Sequence, residues 1–320
     1  MKTRWALTVP FAGIPLADHP DLYRRAEAAG YDDFWTGETA NGTDGFTPLA
    51  IAAPVTERVR LATGVVNPFT RGPGVLAQTA AAMQEASAGR FVLGLGASSN
   101  VIVERFNELQ FERPLAKMRW ATEALRPVLS VPAERGIGGI RLERPVTVPV
   151  PIVLAALRPR MLALAAELAD GAFTNFLPLS GIDQVVGALR TGEREAGREE
   201  GSTELVCRFF LLPLPEEQAL GMARMMFSAY ASVPVYTNFF RWLGWAEQID
   251  PMVEMYESGD RRRAAELAPV DLMREIFLFG SPEQIKDRLE RFVTGGITTC
   301  VLTLIAPPER IPGLIDAMAR

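Results

Sequence analysis

The chain has 320 residues, is 48% hydrophobic and 22% charged, and carries a net charge of −5. This is globular composition, long enough for one large domain or two small ones. No basic stripe with interleaved aromatics is present, which argues against nucleic acid as a partner. No uninterrupted apolar run is long enough to span a bilayer.

Cys207 and Cys300 both lie in apolar runs, ELVCRFFLL and TTCVLTLI. They read as buried free thiols, a pattern that fits a reducing cytoplasm. The first residues, MKTRWALTVPF, lack the apolar core and cleavage site of a signal peptide. His19 is the only histidine and precedes Pro20. A Ser-His-Asp site would therefore have to use His19, and a His-rich metal site is not expected. No carboxylate cluster replaces it, so no metal is expected.

In chain order, Trp5–Phe11 reads as a strand and Pro20–Ala29 as a helix stopped by Gly30. Asp32–Gly37 is a second strand, ending at Glu38. Thr47–Thr56 is a helix with proline at its first position. Arg60–Val66 is a third strand that runs into the turn Thr63-Gly64-Val65-Val66-Asn67-Pro68. An Ala-rich helix over Pro73–Ala88 is closed by Gly89. The strand Phe91–Leu95 then enters Gly94-Leu95-Gly96-Ala97-Ser98-Ser99. Pro114–Leu129 is helical. Val131–Pro149 is a long Gly/Pro-rich loop with room for a small hairpin, and Gly136-Ile137-Gly138-Gly139 belongs to it.

Pro151–Ala156 is a fifth strand and Pro159–Ala169 a helix closed by Asp170-Gly171. Ala172–Leu177, the helix Ile182–Ala196 and the strand Glu204–Leu212 follow. Glu216–Leu267 is helical and aromatic-rich. Its basic run Arg261–Arg263 sits beside Glu257, Asp260 and Glu266 and reads as a solvated helix face. Ser281 caps a helix over Pro282–Thr294, Ile297–Ile305 is an eighth strand, and Ile311–Ala319 is a closing helix.

Apolar strands alternating with helices along the whole length indicate a parallel sheet buried on both faces. Eight such units fit an α/β fold of the (β/α)8 barrel type, one domain over 1–320 with a helical insertion at about 216–267 after the seventh strand. The rival is a doubly wound open sheet. The count of eight and the lack of a dinucleotide fingerprint favour the barrel. Gly94–Ser99 comes near G-x-G-x-x-G, but Ser99 replaces the third glycine and no acidic residue ends a strand about 20 positions later.

In such a barrel the site lies at the carboxyl ends of the strands, which draws attention to Phe11, Glu38-Thr39, Asn67, Ala97–Asn100, Leu157-Arg158, Asn175, Leu214 and Ala306. Glu38 has two readings. It is a general acid or base, or it is a rim carboxylate in water or paired with an arginine. Arg158 and Arg160 flank Pro159 at a helix entry, which suits a phosphate; equally they are two solvated arginines. The aromatic residues of 228–256 are core for the most part, with one or two facing a pocket.

GYDDFWTGE, VRLATGVVNPFTRGP, RFVLGLGAS, VLAALRPRMLALAAELADGAFTNF and FGSPEQIKDRLERFVTGGI together resemble the bacterial luciferase-like monooxygenase superfamily. They are most similar to its branch of oxidoreductases that use the deazaflavin coenzyme F420. The resemblance implies a deazaflavin or flavin in the barrel mouth and a small-molecule substrate. It also implies a homodimer. By position it implies a non-prolyl cis peptide at Gly64–Val65 backing the ring, with Asn67, Ala97 and Ser98 lining it. Arg158, Pro159 and Met161 fall in the phosphate loop, and Thr39, Ser99 and Asn175 lie near the substrate.

The chain departs from the branch's sugar-phosphate dehydrogenases, which carry Asp-His where Glu38-Thr39 stands, a Glu where Ser99 stands and a Lys near Pro178. A sugar phosphate is therefore not expected, and a small apolar organic substrate is. Glu38 is then the remaining candidate to exchange a proton while F420 exchanges a hydride. The alternatives are an FMN-dependent monooxygenase and a non-catalytic flavin-binding barrel.

Overall fold

Among the described residues, nine parallel strands form one sheet that closes on itself: β1 (Arg4–Thr8), β2 (Asp33–Thr36), β3 (Arg60–Thr63), β4 (Phe91–Leu95), β5 (Ile152–Ala155), β6 (Gly171–Asn175), β7 (Glu204–Leu212), β8 (Phe277–Phe279) and β9 (Thr299–Leu304). The structure is a computed structural model and describes residues 2–39, 42–136, 139 and 141–320. Ile137 and Gly138 of the glycine-rich loop lie outside the described residues. The order β6-β5-β4-β3-β2-β1-β9-β7, with β6 pairing β7, closes an eight-stave (β/α)8 barrel.

β8 is not a stave. The barrel's longest strand, β7, pairs with β6 through Glu204–Arg208 and with β8 through Phe210–Leu212. β8 thus extends the sheet past the barrel mouth. The sequence reading missed this three-residue strand, which is too short to show a period. Five helices lie between β7 and β8: Glu216–Ala231, Pro234–Trp242, Ala246–Glu257, Arg261–Leu267 and Val270–Ile276. Arg261–Arg263 are exposed, and Arg262 and Arg263 pair with Glu266. Among its described residues Val131–Pro149 contains no strand and no hairpin.

Alternation along each strand sends every second side chain inward. Ala6, Trp35, Ala62, Val92, Val153, Phe173, Val206 and Val301, one from each stave, form a separate apolar cluster that fills the barrel centre. Two residues towards the amino ends lies a charged layer. Arg4 Nε donates to Asp33 Oδ1 (2.9 Å), Arg60 Nε to the same oxygen (2.8 Å) and Arg60 Nη2 to Glu204 Oε1 (2.7 Å). The Thr299 hydroxyl also donates to Glu204. Burial pushes the Asp33 carboxyl up, but the hydrogen bonds and charges of Arg60 and Arg4 outweigh it and hold Asp33 below the usual carboxylate range.

Cys207 and Cys300 are register partners on β7 and β9, both buried and free, and burial pushes the Cys300 thiol up to about 12. No helix of the described residues is long and apolar enough to cross a membrane.

Candidate active site

Two residues towards the carboxyl ends, the inward positions are Thr8, Gly37, Gly64, Gly94, Ala155, Asn175, Arg208 and Thr303. This layer is the floor of the barrel mouth. Most of it is small, so the mouth is not plugged by its own side chains.

The chain leaves the β3 ladder at Gly64, and the Gly64–Val65 peptide is cis. The departure is held from both sides. Gly64 N donates to Thr36 O (2.7 Å), Val66 N to Gly94 O (3.0 Å) and Gly96 N to Val66 O (2.9 Å). The Thr63 hydroxyl bridges Gly94 N and O at 2.8 Å each. Side chains are excluded around it: a Cβ on Gly94 would fall 1.8 Å from Thr63 O, and one on Gly96 would fall 2.3 Å from Val65 Cγ2. A Cβ on Gly64 would lie 3.1 Å from the Trp35 ring and 3.3 Å from Phe173. The bulge therefore rests on the apolar layer, with half-buried Val65 as a fixed step in the floor.

Ala97, Ser98 and Ser99 are half-buried beside the bulge. Ser98 has a φ of 66°, and a π-helical turn over Val101–Phe106 follows. Asn67 is only 4% exposed, and its Oδ1 accepts from Phe69 N (3.1 Å), Thr70 N (2.9 Å) and Thr70 Oγ1 (3.0 Å). That oxygen is committed to its own turn and is closed to a ligand.

Glu38 follows β2. Its Oε1 accepts from Arg71 Nη2 at 2.6 Å and from Gly45 N at 3.4 Å, while Oε2 is buried with no partner among the described residues. Arg71 also lies over the Phe46 ring at 5.1 Å. Of the two readings of Glu38, the arginine-paired carboxylate is therefore present, and it keeps one oxygen free. Thr39 is exposed next to it. Arg158 and Pro159 are exposed, and Met161 is half-buried, at the start of the helix Pro159–Leu168, whose first turn has no side-chain cap.

The sequence reading missed Arg208. Its Nε donates to Asn175 Oδ1 (3.2 Å), and Asn175 Nδ2 donates to the Tyr236 hydroxyl (2.9 Å). Its guanidinium lies 5.1 Å from the Phe210 ring centroid. The signal was an arginine inside an apolar strand, at the same parity as Glu204 and Val206. Thr8 and Thr303, whose hydroxyls are 2.7 Å apart, were also missed. His19 is buried and takes no part: Nε2 accepts from Phe11 N (2.9 Å), so the proton is on Nδ1, 2.9 Å from Pro15 O. Among the described residues no group of His, Cys, Asp and Glu is placed to hold a metal.

A wide cleft of about 1140 Å3 lies beside the mouth, at the ends of β7 and β8. Among the described residues most of its polar groups are matched, the exposed Arg291 excepted. Arg274 pairs with Glu216 and Asp271, Glu275 accepts from Ser180 N, and Ser281 and Gln284 cap each other.

Residues 3–299 match the luciferase-like monooxygenase family profile, and the chain is an enzyme belonging to that family. A Mycobacterium tuberculosis protein, provisionally named a coenzyme F420-dependent oxidoreductase, is 28% identical over 323 residues, covering 90% of this chain and 91% of that one. The 5,10-methylenetetrahydromethanopterin reductase of Archaeoglobus fulgidus is 27% identical over 299 residues, covering 89% of each. Among solved structures, the coenzyme F420 dependent tetrahydromethanopterin reductase from Methanopyrus kandleri superposes with a TM-score of 0.81 at 20% identity, over 100% of this chain and 98% of that one. The barrel fold is shared with it.

Proposed function

We propose that this enzyme transfers a hydride between coenzyme F420 and a small organic substrate of largely apolar surface. The observation that carries the reading is the floor of the mouth, where glycines clear the space and the Val65 step offers a fixed apolar support for a flat ring. The choice of deazaflavin is supported by the Mycobacterium tuberculosis and Methanopyrus kandleri proteins, both of which carry F420 in their names.

The residues present fit such a group. Gly64 and Val65 would support the ring, and Ala97 and Ser98 would flank it. Arg158, Pro159 and Met161, at an uncapped helix start, would hold the phosphate. A bound deazaflavin supplies or accepts a hydride; the chain supplies orientation and electrostatics. Glu38, oriented by Arg71 through Oε1, is the carboxylate placed to exchange the accompanying proton. Thr39 and Ser99 contact the substrate, whereas Asn175, 4% exposed with its amide shared between Arg208 and Tyr236, supports the site from behind.

Fluorescence titration of the purified protein with F420 tests the reading, with saturation expected at micromolar protein. Absence of saturable binding, or tighter binding of reduced FMN, would overturn it. Glu38→Gln is expected to abolish turnover while F420 binding persists. Undiminished turnover would remove Glu38 from the chemistry.

A further inference from the structure

Arg208 is a cation with unused donors at the centre of the mouth. Among the described residues no carboxylate lies within 4 Å of it, and neither Nη atom donates to a protein group. Its Nε is fixed by Asn175, which is fixed in turn by Tyr236. Burial pushes the Tyr236 phenol above its ordinary value, so this support stays neutral across the working pH range. Phe176, directly after Asn175, has a φ of 51°, unusual for a bulky residue, and stacks on Phe210 with centroids 4.4 Å apart. The arginine is therefore aimed by a packed frame. A half-buried charge left unmatched costs stability, and such a cost is retained where a ligand supplies the missing partner.

The location narrows the ligand. A Cβ on Gly37 would fall 3.6 Å from Arg208 Nη1 and 3.0 Å from Gly64 O, so the guanidinium adjoins the bulge across an empty glycine position. The other inward residues at this level are neutral, and the wall beside the guanidinium is aromatic. One guanidinium fork with a neutral amide behind it matches a planar monoanion; a phosphate dianion would call for a second cation.

We propose that the end-on Nη1/Nη2 face of Arg208 anchors a carboxylate of the substrate, which is an organic monoanion with an apolar or aromatic body. That this molecule is also the hydride partner rests on the function proposed above; the anion site itself does not.

Ligand-observed fluorine NMR with 4-fluorobenzoate and 4-fluorobenzamide, on the full chain without cofactor, tests the site. Wild type is expected to bind the benzoate at least about tenfold more tightly than the amide. Arg208→Gln is expected to erase that preference and leave amide binding within about twofold. Arg208→Lys, which keeps the charge and the bulk, is expected to retain part of it and covers the case in which the Gln variant does not fold. No benzoate preference in wild type, or one that survives Arg208→Gln, overturns the proposal. F420 titration of the same variants separates the sources. If Arg208→Gln weakens F420 binding as much as benzoate binding, the guanidinium serves the cofactor and the proposal fails. A wild type that prefers benzoate but binds no F420 supports the anion site and sinks the cofactor reading instead.

Discussion

The two ends of the barrel use the same residue types and leave them in opposite states. At the amino end, Arg4 and Arg60 converge on the buried Asp33, and Arg60 also reaches Glu204. At the carboxyl end, Arg208 meets a neutral amide and, among the described residues, keeps two nitrogens free. One strand supplies both ends, since Glu204 and Arg208 are four residues apart on the same face of β7. Where every charge has its partner, removing one strands the others in low dielectric, so the layer is tied to stability. Where the partner is missing, the charge is held for something that arrives from outside, and stability gains little from it.

The largest effect expected from this contrast is at Asp33. Asp33→Ala removes the shared acceptor of two arginines and should cost about 3–5 kcal/mol in denaturant unfolding. A cost below about 1 kcal/mol would mean that the amino-end layer is no more structural than the mouth.

A smaller effect is expected at the bulge. Gly94→Ala places a Cβ 1.8 Å from Thr63 O and should cost about 1–3 kcal/mol, with loss of cofactor binding. Gly187 is the control, because nothing lies within 4 Å of its Cβ position inside a helix. Gly187→Ala should stabilise by about 0.5–1 kcal/mol.

Acid should separate the two ends more gradually. Burial raises Asp33, Glu27 and Glu193, but each ends below its ordinary value: Asp33 through Arg60 and Arg4, Glu27 through the backbone N–H groups of Arg58, Val59 and Glu57, and Glu193 through Arg190, Gly201 and Thr203. A carboxyl depressed in the folded state contributes stability that is complete above its unfolded pKa, about 4, and is lost as pH falls through the folded value. Unfolding free energy should therefore be level from neutrality to about pH 5 and decline below about 4. In Asp33→Asn the decline should be shallower, and an identical slope would remove Asp33 from the account.

The smallest stability effect is expected at the other end. Arg208→Gln should leave unfolding unchanged or stabilise by up to about 0.5 kcal/mol while anion binding is lost. A loss comparable to that of Asp33→Ala would erase the difference between the two ends.

Much of the fold was legible because strands buried on both faces must be continuously apolar, and parallel order requires a helix between them. That counted the staves and pointed to Glu38, Ser98 and Asn175 as residues of the mouth. The same physics hid Arg208. A strand apolar on both faces shows no alternation, so the inward side of ELVCRFFLL is undefined until the barrel closes. The partner of Glu38 was hidden for another reason: Arg71 is 33 residues away and meets it only through the β2–β3 crossover. Asn67 is the reverse case, since Asn-Pro-Phe-Thr already carried the signal of a side chain turned back on its own loop. Local pattern, set by burial and turn chemistry, thus determined the elements and the end of the barrel that carries the candidate site. Which charges meet a partner and which wait for a ligand was decided only by tertiary closure, because pairing depends on distances between strands that no local pattern records.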